Sequence, residues 1–347
     1  MLIPAVLRDR IAIRRSRKLL ESGDVRMAID SLTTANRQKS SPRLEEELVR
    51  TRYEGFFRSS YTSRFQTWPP SPADTFTDHD GIPEIDKADI SASVIRDGVL
   101  TRGSIIVRGL LSNVEVERLR TTIDKAYQQH DRAMSGAARE TTTPWFAPFT
   151  PSSAHNDHDF DRQWFRETGA ELAADSPRGM FELLEIFTAN GIDTLAGDYL
   201  GEPPALSVKK TSLRRVPHDQ PSEHGWHQDG AFLGQGIRTM NLWIALSDCG
   251  VDAPSMDMVP RRLNYIVPTG TEGAIFDWSV SSRQITEACD GGEPTHLHFK
   301  AGDAIVFDEM NLHRTSALPG MTKPRYAIEA WFFAPSCYPL DQLPLLV

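Results

Sequence analysis

The sequence predicts a mainly β fold with flanking helices, a barrel or jelly roll preceded by an N-terminal helical hairpin. Three observations carry that prediction. From residue 205 to the end, short apolar or β-branched runs alternate with Gly/Pro turns. Residues 1–62 instead place apolar side chains at helical spacing. Between them, the segment 66–90 (QTWPPSPADTFTDHDGIPEIDKADI) is too rich in Pro, Asp and Thr for a regular element. The expected organisation is a helical hairpin over 1–65, a linker or wrapping segment over 66–90, and a β domain over 91–347.

In the hairpin, Leu19, Leu20, Ala28, Ile29 and Leu32 recur on one face, and Ser22-Gly23-Asp24 supplies a turn. A second helical stretch covers 44–57. Such a unit cannot bury both its faces alone, so it packs on the rest of the chain or on a partner protein. A β-branched run at 104–107 leads into a polar cap, Ser112 and Asn113, and a helix over 114–130. Residues 131–165 read as irregular, and 178–199 as helical. Strands are expected at 205–215, 226–232, 237–247, 256–259, 264–268, 295–299, 304–308 and 325–333.

Composition narrows the function. The 347 residues include 38 basic and 47 acidic side chains, a formal charge of −9, so nothing draws the whole chain to nucleic acid or anionic lipid. No apolar run approaches the roughly 18 residues of a membrane span. The opening MLIPAVLRDRIAIRR is broken by charge too early for a signal peptide. Cys249, Cys289 and Cys337 are odd in number and far apart, which excludes a disulfide scaffold and a CxxC zinc site. The expected setting is a reducing cytoplasm.

The sharpest motif is Gly225-Trp226-His227-Gln228-Asp229-Gly230. On a strand, His227 and Asp229 at i and i+2 point to one face. An imidazole beside a carboxylate makes two ligands of the 2-His-1-carboxylate triad, which leaves open positions on Fe(II) for substrate and oxygen. His313 supplies the second histidine, directly after the apolar stretch 304–307. Arg325 opens RYAIEAWFF, and an Arg fork near the metal can hold a carboxylate bidentately. His-x-Asp alone is weak, since His155-Asn156-Asp157 matches it too, in a polar loop with no strand to fix it.

These pieces resemble a known family. WHQDG, IRTMNLWIALSD, APSMDMVP, AGDAIVFDEMNLHRTS and KPRYAIEAWFF together look like the phytanoyl-CoA dioxygenase-like branch of the Fe(II)/2-oxoglutarate oxygenases, over roughly 91–335. The resemblance implies a double-stranded β-helix of the jelly-roll, cupin-like kind, with iron at its mouth. It implies His227, Asp229 and His313 as iron ligands, with Arg325 on the distal carboxylate of 2-oxoglutarate. It places Thr315 where a hydroxyl assists that Arg, and Trp243 at a wall position. The implied reaction couples O2 and 2-oxoglutarate to oxidation of an aliphatic C–H of a small molecule, yielding succinate and CO2. Similar halogenases carry Gly or Ala in place of the carboxylate, so Asp229 points to a hydroxylase. Two departures stand out. Val259-Pro260-Arg261-Arg262 replaces a frequent PGSH. Lys210 and Arg214 stand on the preceding strand where relatives often carry Gln or Asn toward the cofactor; otherwise they face solvent.

Other residues are assigned by context. Trp145, Phe146 and Phe149 sit in an otherwise polar segment and are expected in a lid over the metal mouth, near substrate. Arg238 either holds an anionic substrate group or caps the barrel rim. His296 and His298 alternate on one stretch and, without a carboxylate partner expected nearby, read as surface or supporting groups; His224 reads as a loop residue. Two rival functions remain: a non-catalytic binding protein on the same barrel, and a zinc hydrolase. The first would usually have lost one of His227, Asp229, His313 or Arg325, and the second would not need Arg325.

Overall fold

Apolar residues at helical spacing build three N-terminal helices, α1 (Ala5–Glu21), α2 (Val25–Gln38) and α3 (Pro42–Phe56), where a hairpin was expected. Gly23, at φ +87, ends the first helix and separates it from the second. The computed structural model describes residues 5–73, 75–77, 79–152, 161–219 and 225–347. The chain continues through β1 (Glu84–Asp86), α4 (Ala92–Asp97), β2 (Ser104–Arg108), α5 (Asn113–Met134), α6 (Arg139–Thr142), α7 (Arg162–Glu167), β3 (Ala170–Leu172), α8 (Pro177–Ala189) and α9 (Ile192–Leu200). Then come β4 (Ala205–Ser207), β5 (Ser212–Val216), α10 (Gly230–Leu233), β6 (Thr239–Ala245), β7 (Ser255–Met258) and α11 (Ser282–Ala288). The last elements are β8 (Thr295–His296), β9 (Ala304–Phe307), β10 (His313–Ser316), β11 (Arg325–Phe333) and β12 (Pro344–Leu346).

Two sheets face each other. The larger runs β1-β2-β9-β6-β11-β4-β12, with β5 and then β3 attached beside β11. The smaller is antiparallel, β10-β7-β8. One edge of β11 is shared: its first half pairs with β5, from Arg325 to Glu329, and its end with β4, at Phe332 and Phe333. The turn between β4 and β5 therefore emerges at the middle of β11.

Every residue of β6 is buried, because both faces of the large sheet are covered. Leu242, Ile244, Ile328, Ala330 and Phe332 face the helix layer, with Leu119 and Ile123 of α5 and Phe187 of α8. Trp243, Ala245, Ala327, Trp331 and Phe333 alternate with them and meet Met256, Met258, Leu297 and Phe299 of the smaller sheet side. Truncating a side chain such as Phe332 to Ala would cost about 3–5 kcal/mol through lost transfer energy and the cavity left behind.

α5 starts at a capping box of Ser112 and Glu115. Gly191, at φ +68, splits the helix expected over 178–199 into α8 and α9. The three N-terminal helices pack on the rest of the chain. Leu20, Ala28, Leu32, Leu44 and Leu48 form their own core against Phe181 and Leu346, and α3 sends Val49 and Tyr53 into the main core. The segment after α3 wraps the domain: Trp68 meets Tyr199, and the Ala73 amide donates to Asp97. It also yields β1, parallel to β2, although its composition predicted no regular element. Two expected strands are absent among the described residues. In 226–232 the extended stretch shrinks to single bridges at Trp226 and His227, followed by α10, and 264–268 forms no strand.

Candidate metal centre

His227 and His313 are bound to each other through their backbones. Each amide donates to the other's carbonyl at 3.0 Å, which sets the two rings 4.6 Å apart. Asp229 arrives differently from the expectation. It is not two residues along a strand from His227; at φ −62, ψ −26 it already turns into α10. The turn folds the carboxylate back toward the histidines. The ligand atoms of His227, Asp229 and His313 lie within 4.8 Å of one another, the one such group among the described residues.

Neighbouring residues explain why the motif turns here. Buried Gln228 donates to the carbonyls of Tyr265 (3.0 Å) and Met310 (2.7 Å) and accepts from the Val267 amide (2.7 Å). It thus ties the motif to the loop expected as a strand and to the turn before His313. The Gly230 amide donates to the Glu309 carbonyl at 2.9 Å. A Cβ at 230 would come 2.7 Å from Ile266 and 3.0 Å from that carbonyl oxygen, so glycine permits the approach.

Both imidazoles are held in one tautomer. Nδ1 of His227 meets the Gly225 carbonyl at 3.0 Å, and Nδ1 of His313 meets that of Asn311 at 3.1 Å. A carbonyl only accepts, so each Nδ1 carries the proton and each Nε2 keeps its lone pair for a metal. Burial, with the neighbouring His313, pushes His227 down to about 4, which keeps it neutral. Burial alone would raise Asp229. Lys210 and the two imidazoles outweigh it and hold the carboxylate well below its usual range. The donor set therefore fits a divalent cation: two neutral imidazoles and one anionic oxygen.

Arg325 and Trp243 lie on the face of the large sheet that meets the small sheet. Arg325 is 1% exposed; it donates to the Ser255 carbonyl at 2.8 Å, and its Nε has no partner. No carboxylate lies within ion-pair distance of it among the described residues. Burial and the nearby Arg214 push its pKa down to about 9. Its guanidinium sits 5.5 Å from the ring centre of Trp243. A buried, acid-free guanidinium is costly unless a carboxylate joins it. Thr315 follows His313 at i+2 on β10, opposite Met256, and so shares its face.

The Phytanoyl-CoA dioxygenase (PhyH) family model matches residues 100–319, more than half of the chain. The chain belongs to that family. No curated protein matches it. Among solved structures it is similar to EctD from S. alaskensis, determined with 2-oxoglutarate and 5-hydroxyectoine. The identity is 15%, the coverage 79% of this chain and 86% of that one, and the TM-score 0.49. It is also similar to the carbocyclase SnoK from nogalamycin biosynthesis, at 15% identity, 72% and 86% coverage and a TM-score of 0.46. The epimerase SnoN, in complex with Fe3+, alpha ketoglutarate and nogalamycin RO, gives 18%, 70% and 82%, and 0.43.

In this PhyH-family chain Lys210 and Arg214 face the site rather than solvent. Lys210 donates to Asp229 Oδ1 at 2.5 Å, and Arg214 donates to Glu329 at 2.7 Å. Glu329 was missed in the sequence. Strand alternation from Arg325 through Ala327 to Glu329 was the signal that could have found it. Gln228, inside the motif itself, was also missed as the residue that anchors its turn.

The lid expectation is overturned for Trp145, Phe146 and Phe149; residues 153–160 of the same segment lie outside the described residues. Phe149 lies in the helix-side core, edge-on to Tyr53 of α3 with centroids 5.4 Å apart. Phe146 stacks on His130 of α5 at 4.2 Å, and Trp145 lies beneath Lys125 at 4.6 Å and Arg178 at 5.7 Å. All three aromatics are spent on the helix layer, on the far side of the large sheet from the metal residues. The aromatics flanking His227 are Phe232 at 6.1 Å and Trp278 at 5.9 Å, with Phe276 stacked on Trp278. Arg238 is a rim residue: it donates to Ser63 Oγ at 2.6 Å and lies 3.8 Å from Glu202. In place of PGSH, Arg262 clamps Asp308 at 2.5 Å. His155, Asp157 and His224 lie outside the described residues.

Proposed function

We propose that this chain is an Fe(II)- and 2-oxoglutarate-dependent dioxygenase that hydroxylates, or otherwise oxidises, an aliphatic C–H of a small molecule. The observation that carries the reading is Arg325: a buried guanidinium without an acidic partner among the described residues, on the face of the large sheet that meets the small sheet carrying His313. Bound iron and 2-oxoglutarate would supply the O2-dependent oxidation, with succinate and CO2 released. His227, Asp229 and His313 would hold the metal. Arg325, helped by Thr315 and walled by Trp243, would hold the distal carboxylate of the co-substrate. Arg214 and Glu329 would brace the wall beside them.

The two facing sheets are read as the halves of a double-stranded β-helix within a domain spanning 91–347, with the helices of 1–65 as its buttress. Asp229 occupies the position a halide would need, which favours oxygenation over halogenation. The three cysteines are free, and the proposal places the protein in a reducing cytoplasm. No described helix is long and apolar enough to cross a membrane. The test is succinate formation from 2-oxoglutarate with Fe(II), ascorbate and O2. Turnover should need all of them and vanish in Asp229→Ala. Turnover of a substrate with zinc and without O2 would sink the reading in favour of a hydrolase.

A further inference from the structure

We propose that Lys210 is a positioning residue that makes Asp229 a one-oxygen metal ligand. The two carboxylate oxygens are already divided. Oδ1 accepts from Lys210 Nζ at 2.5 Å, while Oδ2 faces His313 Nε2 at 3.7 Å. One oxygen belongs to the ammonium and the other to the cluster of ligand atoms.

The fold fixes Lys210 for this task. It sits in the turn where the edge of β11 passes from β5 to β4, and its own amide donates to buried Ser207 Oγ at 3.0 Å. Its ammonium runs past Phe232, 5.9 Å from the ring centre. Glu329, another inner-face carboxylate, does not draw it away. It is engaged by Arg214 at 2.7 Å and by the Trp331 indole at 3.2 Å. Asp229 is the carboxylate within ion-pair distance of Lys210 among the described residues.

The consequence is coordination number. A carboxylate free to use both oxygens would occupy one further position on an octahedral metal, and 2-oxoglutarate needs two positions with oxygen taking another. Holding Oδ1 on Lys210 keeps those positions open. A hydrogen bond from beyond the metal's own ligands commonly changes affinity or activity by an order of magnitude or more.

The inference rests on the oxygenase reading, and the experiment separates the two. Lys210→Met and Lys210→Gln are made in the full chain and loaded anaerobically with Co(II), whose visible absorption reports coordination number. Met removes both charge and donor; Gln keeps an N–H donor on a side chain one bond shorter. Thermal unfolding of each variant checks folding. The Met variant should bind Co(II) with an altered spectrum and bind 2-oxoglutarate roughly tenfold more weakly. The Gln variant should return the spectrum and the affinity part of the way to wild type. A Met variant with wild-type spectrum and affinity, or a Gln variant no closer to wild type than Met, would overturn the role of Lys210. If wild type itself bound neither Co(II) nor 2-oxoglutarate, the oxygenase reading would fall, and this inference with it.

Discussion

The small sheet carries a His/Asp cluster on each face, and the two behave oppositely. On the outer face, His296 Nδ1 meets Asp257 at 2.6 Å and its Nε2 meets the Gly250 carbonyl at 3.0 Å. Arg314 donates to the same carboxylate at 2.8 Å. Every polar atom of that imidazole is spent. On the inner face, one residue along from Arg314, His313 uses only Nδ1, on the Asn311 carbonyl. His227 repeats the pattern with Gly225. An imidazole anchored by one nitrogen is a ligand in waiting; one anchored by both is a structural pin. Residue type alone does not separate the two clusters, and hydrogen-bond accounting does.

The largest contrast to test is metal binding. His313→Ala and His227→Ala should each abolish stoichiometric Co(II) binding by calorimetry. His296→Ala should keep it and lose stability instead. Metal loss in the His296 variant with retention in the His313 variant would invert the comparison.

The same face-against-face test applies to the arginines. Arg325→Ala should weaken 2-oxoglutarate binding roughly a hundredfold, about 3 kcal/mol, because a carboxylate loses a charged partner. Arg314→Ala should leave that affinity unchanged, since its guanidinium serves Asp257. Lysine at 325 should recover part of the loss, as a point charge cannot bond both oxygens. Equal affinities in wild type and Arg325→Ala would remove the assignment.

The histidines should also differ in the sign of their pH dependence. The folded His227 pKa, lowered by burial to about 4, lies below the ordinary 6.5, so the unfolded chain binds the extra proton first. Stability of the metal-free protein should therefore fall between pH 6.5 and 4. By pH 4.5 wild type should have lost about 2–3 kcal/mol more than His227→Gln. His296 is raised, first by its bond to Asp257. Its contribution is full below pH 6.5 and disappears as pH rises through its folded value, so His296→Gln should cost more at acid than at alkaline pH. Urea unfolding at both ends of the range reads both signs.

The smallest expected effect concerns Gln228. Gln228→Ala leaves the carbonyls of Tyr265 and Met310 and the Val267 amide without their partner, at a cost of about 1–3 kcal/mol. It should loosen metal binding less than loss of a ligand does. A variant as stable as wild type would show that the loop holds its shape without it.

How much of this was legible follows the locality of the signal. β9 (AIVF) and the second half of β11 (AWFF) announced themselves because both faces are buried there and the sequence is a continuous apolar run. His313 and Arg325 were found because each adjoins such a strand. The group His227, Asp229, His313 was legible as residues, but the turn at Asp229 was not. That turn depends on Gln228 and Gly230 reaching backbone atoms far along the chain. The stretch 264–268 has strand composition, yet Gln228 takes the amide and carbonyl that a neighbouring strand would have paired. The aromatics of 145–149 were read as needing a partner surface, and they do have one. The partners, Tyr53, His130 and Arg178, lie at distances along the chain that no local pattern encodes.

The central claim is that the inner-face cluster binds iron and 2-oxoglutarate together. The most direct measurement is an anaerobic titration of the full chain with Fe(II) and then 2-oxoglutarate, followed by visible absorption. The account predicts a charge-transfer band that needs both additions, is absent in His313→Ala, and is retained in His296→Ala. A wild-type protein that gives no band, or a His313→Ala variant that gives it undiminished, would contradict the account.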